Sequence, residues 1–216
     1  MSLLAIETAH DLCGVALFGN SGLEALDDQV SPRRHNEILA LMVQRLLAKA
    51  DYKVSDLDGI ALSIGPGSYT GLRVGMSYIK GLAFAYDLPV IPVPTLPALL
   101  EGEQIEQPDW IATWSHGQNV YTMQIGENGH WSAVRYMGWD EFIQHAAGQT
   151  VAGYHLDRFQ PHLDISVVEI CPSAAKVGKF ALARRLAPVP DLATLVCAYH
   201  HEFEARLSCY VNSGSK

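Results

Sequence analysis

The chain has 216 residues, 49% apolar and 18% charged, with a formal net charge of −8. That length buries a real core in one large or two small domains, and the acidic balance argues against dominant direct binding to a phosphate backbone. The basic pairs Arg33-Arg34 and Arg184-Arg185 are too small for a binding stripe and read as solvated faces. The four cysteines (Cys13, Cys171, Cys197 and Cys209) form no Cys-x-x-Cys pair, which leaves zinc-ribbon and thioredoxin-like readings without support; Cys13, in an apolar run, reads as core. No run approaches the ~20 apolar residues of a membrane span. The start, Met1 to Glu7, has no basic region, so a cytoplasmic protein with reduced thiols is expected.

In chain order, Leu3–Ile6 and Cys13–Phe18 read as strands, and the turn Gly19-Asn20-Ser21-Gly22 returns the chain as a third strand over Leu23–Leu26. Ser31-Pro32 is expected to open a helix running to about Ala50. Ile60–Ile64 is a fourth strand, followed by the glycine-rich block Gly65-Pro66-Gly67-Ser68-Tyr69-Thr70-Gly71-Leu72-Arg73-Val74-Gly75 and a helix-like run over Met76–Tyr86. Pro89–Val93 is a fifth strand. A polar, acidic stretch near Glu101–Pro108 marks the expected boundary between an N-terminal lobe, 1–102, and a smaller C-terminal lobe, 103–216, whose last helix can pack back on the first lobe. In that second half, Val120–Ile125 and His130–Val134 flank Gly126-Glu127-Asn128-Gly129 as an expected hairpin. Ser173–Leu186 and Leu192–Leu207 read as helices, and the tail 212–216 as disordered. No internal repeat is visible, although a degraded copy of the first half would fit a duplicated fold.

A glycine-rich turn from strand to helix aims backbone N–H groups at one point, where the helix N-terminus favours an anion. Gly65, Gly67, Ser68 and Thr70 are therefore the candidate phosphate-loop residues. The block is incomplete: Leu72 stands where a P-loop has lysine, and Thr70 spoils the dinucleotide fingerprint. The first hairpin carries Glu7-Thr8-Ala9-His10-Asp11 with no glycine before Gly14, so side chains crowd the place of a phosphate and Asp11 repels it. Ser68 lacks the second glycine of a nucleophile elbow and reads as a helix cap. Among the nine histidines there is no His-Glu-x-x-His. His200-His201 point ~100° apart on a helix, and His35, His116 and His155 read as surface or capping residues. No catalytic metal is expected.

On the first helix, Ile38, Leu41, Met42 and Leu46 belong to an apolar set wider than the ~100° stripe that one sheet covers. On the second, Gly71 and Gly75 thin the helix for close approach. A partner surface and a merely wide core both fit this pattern.

Leu4-Ala5-Ile6-Glu7-Thr8, Arg34-His35-Asn36, the whole Gly65–Gly75 block and Pro89–Val93 followed by Thr95-Leu96 resemble the TsaB (YeaZ) family over about residues 1–100. The resemblance implies an α/β, two-lobed, actin/Hsp70-like (ASKHA, ribonuclease H-like) fold with mixed sheets flanked by helices. It also implies a non-catalytic subunit for making N6-threonylcarbamoyladenosine on tRNA. Such a subunit pairs with the catalytic TsaD through its N-lobe helices, has TsaE as a further partner, forms a homodimer when TsaD is absent and touches tRNA only through the complex. No intrinsic cofactor is implied, and ATP or ADP is left for the interface of the assembled complex. The interface residues so implied are Ile38, Leu41, Met42, Leu46, Tyr69, Gly71, Arg73, Gly75 and Tyr78. TsaD places two histidines four apart after the strand matching Pro89–Val93; here Pro94 to Leu99 holds none. The second half departs from the family: Trp114-Ser115-His116-Gly117 stands where an Asp-Ala-Arg precedes Val-Tyr, and Arg206–Tyr210 lacks the usual terminal motif. A small-molecule kinase or ATPase of the same fold, and a glycoprotease-like metallopeptidase, are the alternatives.

Overall fold

Two five-stranded sheets organise the computed structural model, which describes residues 1–105, 108–126, 130–159 and 165–200. The first is built from β1 (Leu3–Glu7), β2 (Leu12–Gly19), β3 (Gly22–Val30), β4 (Gly59–Gly65) and β5 (Val90–Pro94), in the order β3-β2-β1-β4-β5. The meander β1-β2-β3 is antiparallel, and β1, β4 and β5 run parallel. Between β3 and β4 lies α1 (His35–Lys49), and between β4 and β5 lies α2 (Tyr69–Tyr86), as a parallel crossover requires. The short α3 (Thr95–Leu99) follows β5.

The second sheet comprises β6 (Trp110–Trp114), β7 (Asn119–Gln124), β8 (Arg135–Gly138), β9 (Thr150–Tyr154) and β10 (Ser166–Glu169), with α4 (Trp139–Ala146) between β8 and β9. Its order, read as β8-β7-β6-β9-β10, repeats the first sheet with the same antiparallel and parallel directions. The duplication invisible in the sequence is thus plain in the topology. This is the two-lobed actin/Hsp70-like, ribonuclease H-like fold.

Strand alternation decides which face each helix covers. Leu4 and Ile6 of β1 join Leu39, Met42, Val43, Leu46, Met76 and Ile79 of α1 and α2 in one core. Leu3 and Ala5 point the other way and meet Ala174, Val177 and Phe180 of α5 (Ala174–Ala183). The second half of the chain therefore supplies the helix that closes the first sheet. Asp28 of β3 accepts the backbone N–H of Ala174, and Ser173 caps the same helix by accepting from Ala175. Beyond α5 the chain stays on the first lobe: Leu195 enters the α1/α2 core and the Ala198 N–H donates to the Ile64 carbonyl.

Three expected elements differ. The first helix starts at His35, not at Ser31-Pro32. The Ser31 N–H is spent on the Asp11 carbonyl and Arg33 adopts a φ of 64°, so a turn precedes the helix. The strand opposite β7 is Arg135–Gly138 rather than His130–Val134; Met137 pairs with Val120, while Trp131 makes only an isolated bridge to Ile125. Leu192–Leu207 is not one helix. A single 3-10 turn covers Leu192–Thr194 and residues 195–200 are non-helical. The hairpin tip 127–129, Cys209, Arg206–Tyr210 and the tail 212–216 lie outside the described residues. Among those described, no helix is long and apolar enough to cross a membrane.

Candidate functional site

The turn from β1 to β2 and the start of α2 form one wall of a cleft of about 1430 Å³, which the second lobe faces with Trp114, His116, Tyr121, His155 and Arg158. Gly67, Ser68 and Thr70 of the expected phosphate loop line it; Gly65 is not among the lining residues, and a Cβ there would lie 2.6 Å from the Ala198 carbonyl oxygen. Ser68 caps α2, its hydroxyl accepting from the Gly71 N–H at 3.2 Å. That bond satisfies a donor which a bound phosphate would otherwise meet.

The opposite turn is filled by side chains. Glu7 is 2% exposed and does not face the cleft; its carboxylate accepts the Ala9 N–H at 2.6 Å and lies 3.5 Å from Nδ1 of His10. His10 is buried edge-on against Tyr154, and neither ring nitrogen has a hydrogen-bond partner among the described residues. Asp11 bridges the lobes, accepting from the Tyr154 hydroxyl at 2.6 Å and from Nε2 of His155 at 2.8 Å. Burial pushes the Asp11 carboxyl up, but these two bonds and the imidazole charge outweigh it and hold it below the usual carboxylate range. Tyr154 is pushed up by burial and further by Asp11.

Several expected interface residues turn inward. A Cβ on Gly71 would fall inside the Thr8 carbonyl oxygen, and one on Gly75 inside the Thr8 hydroxyl. A Cβ on Gly67 would collide with the Ala9 backbone. These glycines let α2 lie on its own β1–β2 turn, and their smallness serves an internal contact rather than a partner helix. Met42 and Leu46 are 2% and 4% exposed and belong to the core beneath α1. Tyr69 and Arg73 are engaged by the chain's own C-terminal segment. Arg73 lies 3.9 Å from the Tyr69 ring centroid and donates from Nε to the Tyr199 hydroxyl, and Tyr69 and Tyr199 are 5.1 Å apart. Of the expected set, Leu41 is exposed and Ile38 and Tyr78 are half-buried at the core's edge.

Two histidines read as surface or capping residues have other places. His35 is buried and its Nε2 meets the Leu12 carbonyl at 3.1 Å, tying the start of α1 to β2. His155 sits at the mouth of the cleft on Asp11, a pairing no local spacing could announce. Cys13 is core as expected, and burial pushes its thiol up to about 12.

The family model for TsaD, described as tRNA N6-adenosine threonylcarbamoyltransferase, matches residues 29–134. The tRNA threonylcarbamoyladenosine biosynthesis protein TsaB of Escherichia coli K12 is 38% identical over 102 residues, covering 47% of this chain and 44% of that protein. A tRNA N6-adenosine threonylcarbamoyltransferase of Staphylococcus epidermidis is 34% identical over 141 residues, 55% of this chain and 42% of that protein. The chain thus spans less than half the length of the curated relatives it matches. The solved structure of YeaZ from Pseudomonas aeruginosa superposes with a TM-score of 0.71 at 25% identity, covering 92% of this chain and 99% of that one. The chain resembles TsaB (YeaZ) in sequence over about half its length and in fold across both lobes.

Proposed function

We propose that this TsaB/YeaZ-like chain serves the making of N6-threonylcarbamoyladenosine on tRNA as a non-catalytic subunit that holds TsaD against the outward face of α1 and α2. One observation carries the reading: a helical layer whose inner side completes a core keeps an apolar outer side. Leu41 is 41% exposed, Phe84 85% and Tyr86 50%. Ile38, Val74, Tyr78 and Leu82 stand half-buried where core meets surface. A standard interface of about 1,600 Å² needs such an apolar centre. The face offered to the partner is Ile38, Leu41, Tyr78 and Phe84, without the inward-facing glycines.

The cleft supports a non-catalytic role. Side chains of Ala9, His10 and Asp11 occupy the turn that would embrace a phosphate, and Ser68 satisfies the Gly71 N–H of α2. All five residues of α3, where TsaD would carry its histidines, are buried and none is a histidine. In this reading TsaE is a further partner, ATP or ADP belongs to the interface of the assembled complex, tRNA is reached through that complex, and the same apolar face pairs two copies when TsaD is absent. The compartment that fits is the cytoplasm.

Co-purification with cognate TsaD, sized by light scattering with and without ATP, tests the reading. A one-to-one heterodimer is expected. A monomer at micromolar concentration that fails to bind TsaD overturns it.

A further inference from the structure

Away from the α1/α2 face, β9 and β10 end side by side and bring His155, Asp157 and Glu169 together, with one ligand atom of each lying within 4.8 Å of the others. Their arrangement is fixed by backbone. His155 takes a left-handed φ of 58°, and its N–H donates to Oε1 of Glu169 at 2.9 Å. The 3-10 turn Leu156–Arg158 then carries Asp157 around to the other side of the ring. The imidazole is oriented from behind. Asp11 can only accept, so Nε2 bears the proton of their 2.8 Å bond, and in the neutral imidazole that a metal requires the lone pair is then on Nδ1. Nδ1 is the nitrogen on the Asp157 side, 3.9 Å from its Oδ1. Arg158, the next residue, does not neutralise the pair of carboxylates; its guanidinium lies 4.3 Å from the Trp114 ring centroid.

We propose that Nδ1 of His155 and the carboxylates of Asp157 and Glu169 bind a divalent cation of the zinc class, with a fourth position open to solvent. One imidazole with two carboxylates suits zinc better than magnesium or calcium, which prefer oxygen alone. Zinc–ligand distances of about 2.0–2.2 Å require the side chains to close by no more than about 1.5 Å. Asp11 is a positioning residue: a carboxylate behind a ligating histidine fixes its tautomer and raises its basicity. Because Asp11 belongs to the first lobe and the three ligands to the second, the ion would stiffen the contact that joins them.

The test titrates Zn²⁺ calorimetrically into the full, tag-free chain after chelator treatment and dialysis. One site is expected. Asp157→Asn and Glu169→Gln should each weaken binding tenfold or more; Asp157 is 77% exposed, so that variant keeps the fold. Asp11→Asn should weaken binding by about 10–100-fold at unchanged stoichiometry and shift the visible absorption of bound Co²⁺, which a purely structural role would leave in place. His145→Asn, on the exposed His145–Glu141 pair, should have no effect. Absence of zinc binding in the wild type, or unchanged affinity in an Asp157→Asn/Glu169→Gln double variant of native circular dichroism, overturns the proposal.

Discussion

The helical layers of the two lobes solve the same packing problem and finish it differently. In the second lobe α4 buries Trp139, Phe142, Ile143 and Ala146 and turns only Asp140, Glu141, Gln144 and His145 to the outside. That is an ordinary amphipathic helix, with acidic residues in its first turn and a histidine in its last. In the first lobe α1 and α2 bury an equally good inner face, yet leave Leu41, Phe84 and Tyr86 in solvent. The sheets beneath share one topology, so the sheet does not demand the excess. An apolar outer face on α1 and α2, absent from α4, supports the partner surface proposed for the first layer.

The comparison can be broken or sharpened by mutation, in decreasing order of effect. Phe142 is fully buried and packs edge-on against Trp110 and tilted against Trp139. Phe142→Ala should cost about 3–5 kcal/mol in denaturant unfolding. A smaller loss would mean that the second layer is not the tightly filled one. On the outer face of the first layer, Leu41→Glu combined with Phe84→Asp should weaken TsaD binding about a hundredfold, some 2.8 kcal/mol, while unfolding shifts by no more than about 0.5 kcal/mol. Unchanged binding by light scattering or calorimetry would remove the contrast between the layers. Gly71→Ala tests the inner face: the added methyl meets the Thr8 backbone, which cannot step aside, and about 1–3 kcal/mol of stability should be lost.

A fourth prediction concerns the joint between the lobes. The Asp11 carboxyl is held below its unfolded value, so its stabilisation is present in full above about pH 4–5 and is lost as pH falls through the lowered folded value. Urea midpoints measured from pH 2 to 7 should show this acid-side loss in the wild type and a weaker one in Asp11→Asn. A steeper loss in the variant would refute the assignment. The smallest effect belongs to Arg73→Ala, which removes an exposed cation–ring contact and should lower the urea midpoint only slightly, without the loss of partner binding expected for Leu41 and Phe84.

The first sheet was legible because its signals are local. Short continuous apolar runs mark β1 and β2, the Gly19–Gly22 turn marks the end of β2, and the Gly65–Gly75 block announces a strand-to-helix joint. Where a distant contact competed, local signals misled. Ser31-Pro32 has the chemistry of a helix start, but the Ser31 N–H is committed to Asp11. Leu192–Leu207 has helical periodicity, but Leu195 is drawn into the α1/α2 core and the Ala198 N–H into a bond with Ile64, and the extended path serves both. His130–Val134 reads as a strand because it flanks the Gly126–Gly129 turn; there Trp131 makes only an isolated bridge to Ile125 and its ring stacks on Phe180 of α5, 5.7 Å away. β6 and α3 gave no clear signal, α3 because two prolines, Pro94 and Pro97, bracket its first turn.

By itself the sequence determined the five strands and two long helices of the first lobe, the capped glycine loop and the resemblance to a recognisable fold, since each of these is written in residues a few positions apart. The tertiary structure alone decided what the residues face. It set Gly71 and Gly75 against Thr8, sank Met42 and Leu46, left Leu41 and Phe84 outside, and brought His155 to Asp11 across 144 residues. The reason is that periodicity identifies an apolar side but not its neighbour, and a side chain's neighbour is fixed only when the two lobes close on each other.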